Sequence, residues 1–258
     1  MVSATASYAV FVGIRLPYPA PLTNYGCNMK IDMLGYDGFL IHREQQHSKE
    51  FMAVSFACSM DRIPYKLEKI SRNTQDELDY ICVGSVGWVE KKLGKHIVPN
   101  YYPDFLKEYL HRRVWESNEW PLGKKVFIKP SDRYKRFTGF VTNGGYRKKK
   151  KGPYWCSDVI KFDNEWRYYV SDGKILCGEW YLGDEINCPD APNIDINIPN
   201  DFCGAIDMGM YDGKITLVEV NHPFACGWYG KNHDLYTQWL VRGWKYMKEN
   251  RIIYVPVA

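Results

Sequence analysis

Eight cysteines are spread over the 258 residues, at positions 27, 58, 82, 156, 177, 188, 203 and 226, yet none forms a CxxC pair and none joins a Cys/His cluster at zinc spacing. That argues against a structural zinc site, and thiols scattered through apolar strand-like runs point to a reducing cytosol. No apolar run approaches membrane-spanning length. The N-terminal stretch lacks a basic leading segment, so residues 8–14 read as a first β-strand and not as a signal peptide. A Gly-rich phosphate loop is also missing, since Gly84-Ser85-Val86-Gly87 is too short, and there is no internal repeat. No Lys-x-Asp-Gly arrangement supports a polynucleotide ligase, and no evident Cys/His or Ser/His pair supports a nucleophilic triad. The net charge of +4 is too mild to mark the whole chain as a nucleic-acid binder.

What is present centres on residues 203–230. Two β-compatible runs, 205–210 and 215–220, flank an Asp212-Gly213 turn signal, so the stretch reads as a β-hairpin. Glu219 and Asn221 share a face by the period of two. A two-residue turn would pair Asp207 with Val218 and turn it away from Glu219. A three-residue loop, Tyr211-Asp212-Gly213 with a G1 bulge, would pair Asp207 with Leu217 and set Glu219 diagonally beside it, and this loop is the expectation. Two carboxylates crowded on one sheet face repel unless a cation lies between them. An oxygen-only set of Asp207, Glu219 and Asn221 suits Mg²⁺, although an exposed polar strand face would show the same residues.

Elsewhere the pattern is mixed α and β. Residues 39–41, 52–56 and 80–86 read as strands, and 67–78 carries helical spacing. Residues 103–115 read as a helix, near whose end Arg112 and Arg113 would also compensate the helix dipole. Residues 126–130 form an apolar strand that ends on Lys129-Pro130, and a lysine there is costly unless it meets an anion. The loop that follows carries Lys135, Thr138 and Gly139, whose amides and cation could cover a triphosphate. The run Arg147, Lys148, Lys149, Lys150, Lys151 is either a solvated loop tip or a contact for an anionic substrate or nucleic acid. Residues 155–162 are expected to be extended. In the strand that starts at Glu165, Arg167 shares a face with Glu165, and an arginine held by that carboxylate is placed to meet a phosphate; an ordinary cross-strand ion pair is the alternative. Residues 233–247 read as a closing helix.

This order of signals, with the wording VFIKPSDRYKRFTGFV, EWRYYVSDGKI and DMGMYDGKITLVEVN, resembles the ATP-grasp family, in particular a compact clade frequent in bacteriophages. The resemblance covers about residues 99–248. It implies an α+β fold in which two α+β subdomains, about 99–160 and 161–250, grip ATP, preceded by a small α/β N-terminal domain over 1–98. It implies an ATP- and Mg²⁺-dependent ligase that joins a carboxylate to an amine through an acyl phosphate, in the cytoplasm, or the host cytoplasm if the chain is viral. A kinase on the same fold, or a non-catalytic nucleotide- or nucleic-acid-binding protein, are the alternatives. By position, Lys129 would hold the α/β-phosphates, and Arg112 would replace the family's more upstream lysine, with Arg113 hard to tell from it. Lys135, Thr138 and Gly139 would form the lid. Ser157, Asp158 and Val159 would be the adenine-reading hinge, Arg167 would contact the γ-phosphate, and Asp207, Glu219 and Asn221 would hold Mg²⁺. His222 is the one histidine placed to matter, either in the chemistry or as a structural turn residue.

Overall fold

A computed structural model describes residues 30–69, 79–145, 149–224, 226–249 and 254–256. The first layer is built from β1 (Gly38–His42), α1 (Lys49–Asp61), β2 (Tyr65–Glu68), β3 (Tyr80–Val83), α2 (Val86–Leu93) and β4 (Lys95–Ile97). β1 lies centrally between β2 and β3, parallel to both. It is buried along its whole length, as expected of a parallel strand covered on both faces. The strand expected at 52–56 falls inside α1. Ser48 caps that helix by accepting from the Phe51 amide, and Ala53, Val54, Ala57 and Cys58 are its buried residues, a helical spacing. Met52, Phe56 and Met60 lie on the exposed side of the same helix, which is why the run looked uniformly apolar. The expected helix at 67–78 opens instead in β2, its remainder lies largely outside the described residues, and so does the expected strand at 8–14.

A second sheet contains β5 (Val114–Ser117), β6 (Val126–Pro130), β7 (Phe140–Thr142) and β8 (Tyr154–Ser157) in the order β5-β8-β6-β7, all pairs antiparallel. The helix expected over 103–115 is reduced to a 3-10 turn at Asp104–Tyr109. His111 at φ 40° breaks it, and Val114 and Trp115 then pair with β8, where their branched and aromatic side chains are at home. β8 stops at Ser157, shorter than the extended stretch expected to residue 162.

The third sheet, order β10-β9-β11-β12, is antiparallel throughout: β9 (Glu165–Ser171), β10 (Lys174–Leu182), β11 (Gly204–Tyr211) and β12 (Lys214–Asn221). α3 (His233–Glu249) packs on it, and β13 (Tyr254–Pro256) pairs with β4. Trp239 of α3 is fully buried and its indole donates to the Val170 carbonyl at 2.9 Å. A ring of that size contributes roughly 4–6 kcal/mol by area alone. Gln238 of α3 bonds both backbone groups of Asp32, at 2.7 and 3.1 Å, so the last helix and the first layer share one core. Among the described residues no helix is long and apolar enough to cross a membrane.

Candidate active site

The site grows from the β11–β12 hairpin. Its loop is the two residues Asp212 and Gly213, at φ 49° and 70°, with Tyr211 paired to Lys214. Two successive positive φ values match a type I′ turn, whose twist suits the strands it joins. The expected three-residue loop is therefore wrong. The bulge lies instead in β12 at Val218, so that Met208 pairs with Leu217 while Asp207 pairs with Glu219. The extra residue does what the longer loop was expected to do, and more closely: the two carboxylates are directly opposite each other on one face.

Arg112 holds that bulge. Its guanidinium donates to the carbonyls of Leu217 at 2.5 Å and Val218 at 3.1 Å, and it lies over the rings of Tyr102 and Phe162. Arg113 turns outward and pairs with both oxygens of Asp158, at 3.0 and 2.9 Å. That hydrogen bonding holds the Asp158 carboxyl below its ordinary value. The structure thus separates the two arginines. Arg112→Ala should loosen the bulge, speeding amide exchange in β12 and lowering any turnover by about 10-fold, because a 1 Å displacement can cost as much as 100-fold.

Four side chains form a row across the sheet: Glu179 of β10 opposite Arg167 of β9, Arg167 opposite Asp207 of β11, and Asp207 opposite Glu219 of β12. Arg167 donates from Nε and Nη2 to the two Asp207 oxygens, both at 2.7 Å, and is sandwiched by Tyr181 and Tyr229. The carboxylate that holds Arg167 is therefore Asp207, not the Glu165 expected from the sequence. Burial opposes the charge on Arg167, but the Asp207 carboxylate keeps the guanidinium firmly protonated. Full burial pushes the Asp207 carboxyl up, and Arg167 opposes that.

Lys129, at the end of β6, reaches from the second sheet to the third. Its Nζ lies 2.7 Å from Glu219 Oε2 and over the rings of Tyr101 and Tyr102, at 3.8 and 4.5 Å. Burial alone would raise the Glu219 carboxyl, but Lys129 brings it down to about 2. Asn221 ties the two acids together, donating to Asp207 Oδ2 at 2.9 Å and Glu219 Oε1 at 3.0 Å, while Tyr134 donates to its Oδ1 at 2.7 Å. Two cations thus balance two anions around one amide. Lys129, Arg167, Asp207, Glu219 and Asn221 are brought together.

The other expected residues are less closely tied. Lys135 lies at the edge of the group with φ 51°, and its charge helps hold Glu219 ionised. Thr138 is half-buried, and Gly139 packs on Phe127, where a Cβ would come within 2.5 Å of the ring. No hydrogen bond among the described residues joins either to the carboxylates. Ser157 is buried at the end of β8, with Asp158 and Val159 following it out of the sheet. His222 bonds the Val98 carbonyl at 3.2 Å, and burial lowers its pKa to about 4, so it is neutral and structural. The tyrosines at 101, 134, 181 and 229 had no spacing signal that marked them in advance.

Glu165 lies on the face of Arg167 and accepts from the Tyr181 hydroxyl. Burial raises its carboxyl to about 7, from an ordinary 4.5. An acid raised on folding costs stability as pH climbs from its unfolded to its folded pKa. Glu165→Gln should therefore stabilise the protein by roughly 2–3 kcal/mol at about pH 8 and not at about pH 4, as read by urea unfolding.

Among curated proteins, none matches this chain. Solved structures similar to it include a D-alanine–D-alanine ligase from Bacillus anthracis complexed with ATP (12% identity, 82% of this chain and 98% of that one, TM-score 0.41). The ATP-grasp ligase PsnB complexed with minimal precursor is another (9% identity, 72% and 90%, TM-score 0.37), as is phosphoribosylglycinamide synthetase from Anaerococcus prevotii (10% identity, 80% and 75%, TM-score 0.40). A family model described as an ATP-grasp domain matches residues 109–239, just over half of the sequence and the whole stretch from Arg112 to α3 that builds the site. The chain belongs to the ATP-grasp family.

Proposed function

We propose that this protein is an ATP- and Mg²⁺-dependent carboxylate–amine ligase that works through an acyl phosphate and releases ADP and phosphate. The observation that carries the reading is the neutral quartet of Lys129, Glu219, Arg167 and Asp207, buried to different degrees and knit by Asn221. Burying four charges is unfavourable for stability alone, and such an arrangement is useful where a polyanion and a cation are to be exchanged into it. An arriving triphosphate takes Lys129 and Arg167 as its partners, which leaves the two acids to a divalent ion.

The donor set fits Mg²⁺: two carboxylates and an amide oxygen are hard ligands, and few of them are needed. Among the described residues no three His, Cys, Asp or Glu converge, so Asn221 completes the set. When bound, the ion would neutralise charge on the phosphate oxygens. Lys129 holds the phosphate chain, and Arg167 steadies the γ-phosphoryl group while a substrate carboxylate oxygen attacks phosphorus and the bond to ADP breaks. An amine then attacks the acyl carbon and phosphate leaves, giving an amide.

In this reading the nucleotide lies between the second and third sheets, and the subdomains meet near Ser157, Asp158 and Val159, with Lys135, Thr138 and Gly139 as cover. Residues 1–98 act as a separate acceptor-side domain. The seven described cysteines are free thiols, which supports a cytoplasmic setting. The reading is tested by incubating the protein with ATP, Mg²⁺ and pools of carboxylates and amines. ADP and phosphate release that requires both an acid and an amine is the expected result. A stable phosphorylated product formed without any amine would replace the ligase with a kinase.

A further inference from the structure

A cavity of about 200 Å³ opens at the carboxyl ends of β1 and β3, beside the first turns of α1 and α2 and under Phe224 and α3. The chain leaves central β1 for β2 on one side and β3 on the other, so this is the crevice where a parallel sheet reverses its order, a habitual ligand position. Ile41, Phe51, Val83 and Leu240 make its walls apolar. Glu50 is the one charged side chain among its lining residues. A cavity of about 150 Å³ takes a guest the size of benzene, so the occupant here is a small molecule and not a peptide.

Glu50 also connects the cavity to the quartet. Its Oε1 accepts from the Trp228 amide at 3.2 Å, while the carbonyl of that same peptide group, on Gly227, accepts from Arg167 Nη1 at 3.3 Å and from the Tyr169 hydroxyl at 2.5 Å. One peptide unit therefore separates the acid in the cavity from the arginine at the phosphoryl face. Phe224 and Tyr236 form the rest of the partition, with the Tyr236 hydroxyl donating to the Cys226 carbonyl at 3.1 Å.

We propose that this cavity seats the amine substrate, and that the amine is small and primary, with an apolar body against Ile41, Val83 and Leu240 and its nitrogen at Glu50. The assignment rests on the ligase reading and adds the class of acceptor to it. The nitrogen is thereby the end of the molecule nearest the face where the acyl phosphate forms. A neutral isostere lacks the charge pairing, and an anion of the same shape is repelled.

The test is calorimetric titration of the full chain with 3-methylbutylamine, 3-methylbutanol and 3-methylbutanoate. The amine should bind at least about 10-fold more tightly than the alcohol, equivalent to about 1.4 kcal/mol, and the carboxylate should not bind. Glu50→Gln, which keeps an acceptor for the Trp228 amide, should remove the preference for the amine. Val83→Trp, which fills the cavity, should abolish amine binding. Equal affinity for amine and alcohol, an unchanged preference in Glu50→Gln, or unchanged binding in Val83→Trp would each overturn the assignment. Thermal stabilisation by ATP with Mg²⁺ is read on the same samples: its absence beside intact amine selectivity defeats the ligase reading and leaves the cavity as an amine site, whereas its presence without selectivity defeats the cavity assignment alone.

Discussion

Glu219→Gln should abolish ATP-dependent turnover, by about 10³-fold or more, and should also destabilise the ligand-free protein. The second effect follows from Lys129, whose ammonium would lose its carboxylate partner while remaining nearly buried beneath Tyr101 and Tyr102. A fully closed pair broken in this way costs about 3–5 kcal/mol, and the 26% exposure of the Glu219 side chain reduces the expectation to about 2–4 kcal/mol. Lys129→Met in the same chain should restore most of that stability, because two well-packed neutral groups replace one unpaired charge. It should restore no turnover. Urea unfolding of both variants beside an ADP-release assay reads the two effects separately, and a stable, active Glu219→Gln protein would contradict the role given to both residues.

Arg167→Lys should be the most damaging conservative change in the molecule. Lysine keeps the charge but cannot supply two parallel bonds to Asp207, a third to Gly227, and a flat face between Tyr181 and Tyr229. Turnover should fall by about 10²–10³-fold, mainly in kcat, as expected when an interaction made chiefly in the transition state is lost. Asp207, left with a single imperfect partner in a buried position, should lower stability by roughly 2 kcal/mol. A variant that loses only ATP affinity would assign Arg167 to ground-state binding instead.

Much of this site could be read from short local signals. An apolar strand that ends on Lys129-Pro130 reaches an anion as its charge demands, and the period of two puts Glu219 beside Asn221. Period and charge are local properties of a strand and survive folding. The errors share the opposite property. The choice between a two-residue and a three-residue turn depended on twist, and the Val218 bulge depended on Arg112, which lies 106 positions earlier in the chain. Asp207 displaced Glu165 as the partner of Arg167 because cross-strand register, absent from any local pattern, set it directly opposite. Residues 52–56 misled for another reason: apolar side chains on both faces of α1 erase the helical stripe. Arg112 and Arg113 do not end a helix, because backbone reversal at His111 is a tertiary outcome that no residue there announces. The cavity near Glu50 was illegible, since its walls come from four separate elements and from α3, more than 180 residues from Phe51.

The central claim is that one hairpin face and one lysine divide a metal–nucleotide complex between them. Anomalous scattering from crystals of the full chain, grown with Mn²⁺ and a non-hydrolysable ATP analogue, tests it most directly. The account predicts a manganese peak bounded by Asp207, Glu219 and Asn221, with the analogue's phosphates against Lys129 and Arg167. A peak elsewhere, or phosphates remote from Lys129, would contradict it.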